Sequence, residues 1–237
     1  MKTLSKSLTH LSVILITLLS ASACLSSGPA ANLATSPDAT EFPEGTEVAT
    51  FGAGCFWCVE EVFHQTPGVL SAVSGYMGGT AETADYQLVA RGRTDHVEVV
   101  QVHFDPNTLS FDQLLDVFFK QHDPTTLDRQ GPDVGPQYRS IVFYHDDLQK
   151  LATEAKIKAL TEEAVYGKRT IVTEVSEAMP FYEAEDYHQN FARLNPRHGY
   201  LIIHLYPKLR KLGLKVPSSS GASPKETSAP KGSTPKS

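Results

Sequence analysis

Two stretches of this chain lack the means to fold, and they confine the rest. Residues 24–45 are rich in Ser, Ala, Pro and Thr without hydrophobic periodicity, and residues 215–237 are dominated by Ser, Pro, Lys and Gly. Neither carries enough apolar surface to offset the entropy of ordering it. They read as a linker and a tail around one domain, residues 46–214, of ordinary single-domain length. Ahead of the linker, residues 1–23 have the pattern of a signal peptide: Lys2 and Lys6, the short apolar run Leu11–Leu19, then Ala21-Ser22-Ala23. That run is too short for a comfortable membrane span. Cys24 follows directly, which leaves two routes open. In one, Cys24 is the lipidated first residue of the mature chain and 24–45 tethers the domain to a membrane of the cell envelope. In the other, the chain is simply cleaved, to be secreted or kept in a periplasm. The lipid-anchored route is adopted here, although Ala21 stands where Leu is more usual.

Inside the domain, Glu47–Phe51 predicts a strand running into Gly52-Ala53-Gly54, and a helix starts near Cys55 and runs to Gln65. Further strands are predicted over Val69–Tyr76, Val97–Phe104, Tyr138–Tyr144 and Thr170–Val175. Val97–Phe104 alternates apolar and polar residues, the mark of a half-buried strand. Helices are predicted over Asp85–Arg91, Phe111–Gln121 behind the cap Ser110, Asp146–Tyr166, and Asp186–Leu194 up to Pro196. His122–Gln137 is a long loop rich in Pro, Asp and Gly, a kind that often carries function. Strands and helices intermix without strict alternation, which gives an α+β class. With a net charge of −6 and no sustained basic stripe, the sequence carries no sign of nucleic-acid binding, and no nucleic acid is expected as a partner. Three cysteines are too few for a disulfide framework. With Cys24 assigned to processing, Cys55 and Cys58 remain to be explained.

The most informative stretch is Gly54-Cys55-Phe56-Trp57-Cys58-Val59-Glu60. A glycine-rich turn lets the backbone bend tightly. Cys55 falls at a helix N-terminus, where free N–H groups and the macrodipole favour a thiolate. Phe56 and Trp57 can wall an apolar pocket, and Cys58 shares a helix face with Cys55. Together they read as a redox-active thiol beside an apolar patch. Structural zinc would need four ligands, and there is no second cysteine pair. Haem attachment would need His where Val59 stands. A thioredoxin-type motif is a closer rival, but Phe56-Trp57 would crowd a site that docks other proteins' disulfides. The two aromatics could also be plain core residues.

At this point the stretch becomes specific, because Gly54-Cys55-Phe56-Trp57 resembles the active-site signature of the methionine sulfoxide reductase A family. Further matches follow in that family's order. Ser74–Gly79 resembles its glycine-rich turn; Tyr86 and then Gly92–Glu98 resemble its acid-bearing segment. His122–Thr126, Gln130, Asp133–Gly135 and Gln137–Ser140 resemble its central loop, and Phe181-Tyr182 with Ala184–Gln189 its C-terminal block. The similarity spans nearly the whole domain.

The resemblance implies a mixed sheet with helices packed around it, no metal and no cofactor. It also implies reduction of methionine-S-sulfoxide, free or in oxidised proteins. Cys55 would be the nucleophile and Glu98 the acid that protonates the sulfoxide oxygen. Tyr86 and Tyr138 would hydrogen-bond that oxygen, Phe56 and Trp57 would receive the substrate methyl, Asp133 would organise the site, and His188 would border it. Glu98 must then hold a proton near neutral pH, which burial among aromatics can arrange. Three features depart from the common pattern. Cys58 occupies a position that is Gly in many members. No cysteine follows it, so Cys58 is the expected resolving thiol, recycled by a thioredoxin-like reductant. Pro132 and Pro136 flank Asp133 where Asn and Thr are expected, and Pro136 removes a backbone donor. Two rival functions stand beside this one. An envelope thiol-disulfide oxidoreductase would have no need of Glu98 and two tyrosines. A non-enzymatic metal-binding lipoprotein would use Cys55, Cys58 and nearby histidines.

Overall fold

The computed structural model describes residues 42–218. The expected leader, the lipid site Cys24, and most of the linker and tail lie outside the described residues. The strands are β1 (Glu47–Ala53), β2 (Val69–Met77), β3 (Val97–Phe104), β4 (Arg129–Gln130), β5 (Asp133–Val134), β6 (Ser140–Tyr144), β7 (Glu174–Glu177) and β8 (Tyr182–Glu183). The helices are α1 (Phe56–His64), α2 (Tyr86–Val89), α3 (Phe111–Gln121), α4 (Asp147–Glu162), α5 (Phe191–Leu194) and α6 (Tyr206–Lys211). One sheet has the order β7-β6-β1-β3-β2-β8, and β4 and β5 form a separate small ladder. β6 and β7 run parallel, and the other pairs of the large sheet are antiparallel. The α+β class and the mixed sheet are as expected.

Alternation in β3 predicted one buried face, yet Val97–Val100 are all buried. The strand is central, paired to β1 on one side and β2 on the other. Val100, Val102 and Phe104 point into the main core, while Val97 and Val99 join Met77, Ile141 and Phe143 beneath the sheet. Glu98 therefore sits on the same face as Val100, inside the molecule.

Helix α1 is short, and packing rather than propensity holds it. Phe63 stacks on Phe51 of β1 at 5.1 Å between ring centroids, and Phe51 meets Phe118 of α3 at 5.1 Å. On its other side Cys58 and Val62 pack against Leu201, Leu205 and Leu209. Each fully buried Val, Leu or Phe of this kind contributes about 1.5–3 kcal/mol. Its two buried carboxylates are paired: Arg193 Nε donates to Glu61 at 2.8 Å, and the Asn190 N–H donates to Glu60 at 3.1 Å.

Three expectations shift. The helix predicted over Asp186–Leu194 is broken at Asn190, which adopts a left-handed φ of 55° as its N–H turns to Glu60. Its halves are a tight turn, Asp186–His188, and α5. The strand predicted over Thr170–Val175 forms at Glu174–Glu177, where it finds the partners Ile141–Tyr144. A helical segment that the sequence reading did not predict follows Pro196. A wide turn over Leu201–Leu205 is closed by the Tyr206 N–H on the Leu201 carbonyl, and it leads into α6. Leu201, Leu205 and Leu209 form its buried stripe at a spacing of four. Pro207 sits in the first turn of α6, where a missing N–H does little harm.

Candidate active site

β1 hands the chain to α1 through Gly54, whose φ is 87°. A Cβ there would lie 2.6 Å from Gln130 Cβ, so only glycine fits both the turn and the space. Cys55 is thereby left at the cap of α1, its carbonyl accepting the N–H groups of Cys58 at 3.0 Å and Val59 at 3.4 Å. Both cysteines are reduced, Cys55 partly exposed and Cys58 buried.

Glu98 reaches this turn from β3. The Phe56 N–H donates to its Oε2 at 3.1 Å, and the residue is 2% exposed. Burial strips the hydration that a carboxylate needs, and one N–H does not replace it. The charges of Asp133 and Cys58 also oppose ionisation, and the carboxyl is pushed up to about 8. Glu98 thus carries a proton at neutral pH.

The expected thiolate at Cys55 needs correction for the resting site. Burial raises this thiol first, and the hydrogen bond to Cys58 and the charges of Cys58, Glu98 and Asp133 raise it further. Cys58 is instead the lowered thiol. The hydrogen bond from Cys55 is the largest cause, working against burial, with Lys208 and Tyr200 adding to it and Asp133 opposing.

Burial keeps the phenols of Tyr86 and Tyr138 protonated, and the charges of Glu98, Cys55 and Asp133 act on both. They share one electrostatic environment with the thiol and the acid. Glu185 anchors Tyr86 by accepting its N–H at 3.0 Å, and it also accepts the Tyr76 hydroxyl at 2.8 Å.

Trp57 donates Nε1–H to His188 Nδ1 at 3.0 Å and stacks on Phe191 at 3.8 Å. An accepting Nδ1 assigns the His188 proton to Nε2, which lies 3.8 Å from Glu185. Burial lowers His188, so it is neutral and braces the indole. Phe56 is buried beneath Trp57, leaving Trp57 as the aromatic with exposed surface.

Asp133 on β5 accepts the hydroxyl proton of Tyr200. Pro136 does not disturb this loop. It begins a tight turn, Pro136–Tyr138, where no donor is required of it, and its carbonyl accepts Arg139 Nη1 at 2.9 Å.

Cys55, Cys58, Glu98, Tyr86, Tyr138, Asp133, Trp57 and His188 therefore gather around one helix start. The sequence reading gave no role to Glu185 and missed Tyr200, His204 and Lys208. The last three recur every fourth residue, a helical signal that was present but unread.

Residues 47–219 match the sequence pattern of the family described as peptide methionine sulfoxide reductase. The chain is 51% identical over 164 residues to the peptide methionine sulfoxide reductase MsrA of Natronomonas pharaonis, covering 69% of this chain and 92% of that protein. It is 50% identical over 167 residues to the protein of that name from Acinetobacter baumannii strain AYE, covering 70% and 94%. Among solved structures, it is similar to reduced Mxr1 from Saccharomyces cerevisiae, with a TM-score of 0.61 and 34% identity over 66% of this chain and 90% of that one. The methionine sulfoxide reductase A of Corynebacterium diphtheriae gives a TM-score of 0.59 and 35% identity, over 66% and 78%.

Proposed function

The chain belongs to the peptide methionine sulfoxide reductase family and is an oxidoreductase of that kind, and on this premise we propose that it reduces the S epimer of methionine sulfoxide through Cys55. The observation that carries the reading is a buried Glu98 that accepts the N–H of the residue after Cys55, with burial pushing its carboxyl up to about 8. A sulfoxide is a poor electrophile until its oxygen is protonated or strongly hydrogen-bonded. Glu98 gives the oxygen its proton, and the phenols of Tyr86 and Tyr138 stabilise the charge developing there. Cys55 sulfur attacks the substrate sulfur, methionine leaves, and Cys55 keeps the oxygen as a sulfenic acid. Trp57, held by His188 and Phe191 over the buried Phe56, receives the methyl group. Asp133, fixed by Tyr200, organises the loop that carries Tyr138.

Cys58 then condenses with Cys55, releasing water and leaving a disulfide for a thioredoxin-like dithiol to reduce. Residues three apart on a helix hold their Cβ atoms about 5–6 Å apart, against roughly 4 Å in a disulfide. Cys55 has a non-helical ψ of 118°, so closing this gap moves the cap and loosens only the first-turn bonds that its carbonyl accepts from Cys58 and Val59.

The test is an assay of each purified epimer with a small dithiol as reductant. With the methyl at Trp57, the oxygen at Glu98 and the sulfur facing Cys55, the R epimer would aim its oxygen away from the donors. The S epimer should be reduced and the R epimer left intact; equal reduction of both contradicts the reading. Placement in the cell envelope through a lipidated Cys24 belongs to the same proposal. Mass spectrometry of the native N-terminus should find the lipid, and an unmodified Cys24 thiol in soluble protein would refute it.

A further inference from the structure

A cavity of about 100 Å³ adjoins both sulfurs, lined by Cys55, Cys58, Asp133, Tyr200, His204 and Lys208 among others. Trp57, Glu98, Tyr86 and Tyr138 are absent from its walls. The sulfur pair thus has two sides, one facing the acid and phenols and one facing the C-terminal helical segment. On that segment Tyr200, His204 and Lys208 recur at intervals of four and share a face. The buried stripe Leu201, Leu205 and Leu209 locks the segment against α1, so this face is held in place beside Cys58.

We propose that Tyr200 and Lys208 are positioning residues for the second half of the reaction: they face Cys58 across this cavity and ease the loss of its proton as it attacks Cys55 to resolve the sulfenic acid once methionine has left. The inference rests on the reading of Cys58 as the resolving thiol. The groups facing Cys58 are Cys55 on its own helix, Glu98 from β3, Asp133 from β5, and Tyr200, His204 and Lys208 from the C-terminal segment. Glu98 is neutral at neutral pH, and Asp133 is engaged by Tyr200. The Tyr200 hydroxyl donates to Asp133 and lines the cavity beside Cys58, lowering that thiol in a minor way. Lys208 supplies the positive charge on this side and lowers Cys58.

The step balances as follows. Cys58 sheds its proton to water through the cavity. Its sulfur attacks Cys55 sulfur, the S–S bond forms and the S–O bond breaks. Hydroxide leaves and takes up one proton from solvent to become water. Cys58 sulfur is oxidised and Cys55 sulfur reduced, and no outside oxidant is needed.

The experiment is a single turnover of the full chain, in a Cys24→Ser background, with methionine-S-sulfoxide and no reductant. Samples are quenched in acid over the neutral and alkaline range. Released methionine and the Cys55–Cys58 disulfide are counted by mass spectrometry. Lys208→Met should still release about one methionine per protein, the yield of one oxidised thiol. Its disulfide formation at neutral pH should slow about tenfold, with the pH midpoint raised by about one unit and rates converging in alkali. Lys208→Arg should restore the parent profile, and Tyr200→Phe should shift the midpoint the same way. An unchanged midpoint in Lys208→Met, or equal slowing at every pH, overturns the inference and leaves Cys58 as the resolving thiol. If the parent forms no Cys55–Cys58 disulfide, the resolving role of Cys58 falls, and this inference with it.

Discussion

Replacement of Cys55 by Ser is expected to abolish methionine release, the first turnover included. A hydroxyl is a far weaker nucleophile toward sulfur than a thiol. This site makes the exchange worse. Burial, Cys58 and Asp133 already oppose an anion at Cys55, so the much less acidic hydroxyl has no route to an alkoxide. Ser at the cap of α1 leaves the helix start intact, since side-chain oxygens suit that position. The loss is therefore chemical. Measured as methionine released per protein with a small dithiol present, the expected yield is nil, and appreciable turnover would remove Cys55 as the nucleophile. The companion Cys58→Ser should separate the two thiols: about one methionine per protein is released, because one thiol is still oxidised. Cycling with thioredoxin should then stop, and sustained cycling in protein that also lacks Cys24 would show that Cys58 is dispensable.

Replacement of Glu98 by Gln should lower the rate of methionine release by roughly 100-fold or more, within the range for loss of a general acid. Gln is nearly isosteric, its carbonyl can accept the Phe56 N–H that Glu98 accepts at 3.1 Å, and it is neutral, like the protonated acid. The environment of Cys55 at neutral pH is therefore preserved, and only the transferable proton is lost. The pH profile gives a second signature. Glu98 is protonated below about 8, so the acid form falls away as pH rises through that value. The slope of log rate against pH should drop there by about one in the parent, because each further unit removes about nine-tenths of the acid form. In Glu98→Gln that downward bend should vanish. A rate within a few-fold of the parent, or a bend that survives, would mean that Tyr86, Tyr138 or water protonates the oxygen.

Much of this site was legible because its signals are local. The strand, the Gly54 turn and the cap of α1 lie within a dozen neighbouring residues, and each obeys a short-range rule. Ser110 and its partner Gln113 likewise form the cap that starts α3 as expected. The errors arose where partners are distant. The helix over Asp186–Leu194 has good local periodicity, but Glu60 captures the Asn190 N–H from 130 residues away and breaks it. Thr170–Val175 has strand-forming residues, yet pairing with β6 decides that Glu174–Glu177 is the strand. The C-terminal segment carries a clear leucine stripe, but Pro207 and the flanking polar residues hide it from a reading that stops helices at proline.

The sequence by itself determined the α+β class and the family, and it pointed to Cys55 and Glu98 as the thiol and the acid, because motif and hydrophobic period are written along the chain. Only the tertiary structure decided the state of those groups. Glu98 holds its proton because β3 lies at the centre of the sheet and α1 closes over it; its hydrogen-bond partner is 42 residues away. Trp57 is held by a histidine 131 residues away. The resting proton balance between Cys55 and Cys58 depends on Asp133, Tyr200 and Lys208, brought in from two other elements. Burial and electrostatic fields are sums over everything within reach in space, so no stretch of sequence contains them until the chain has folded.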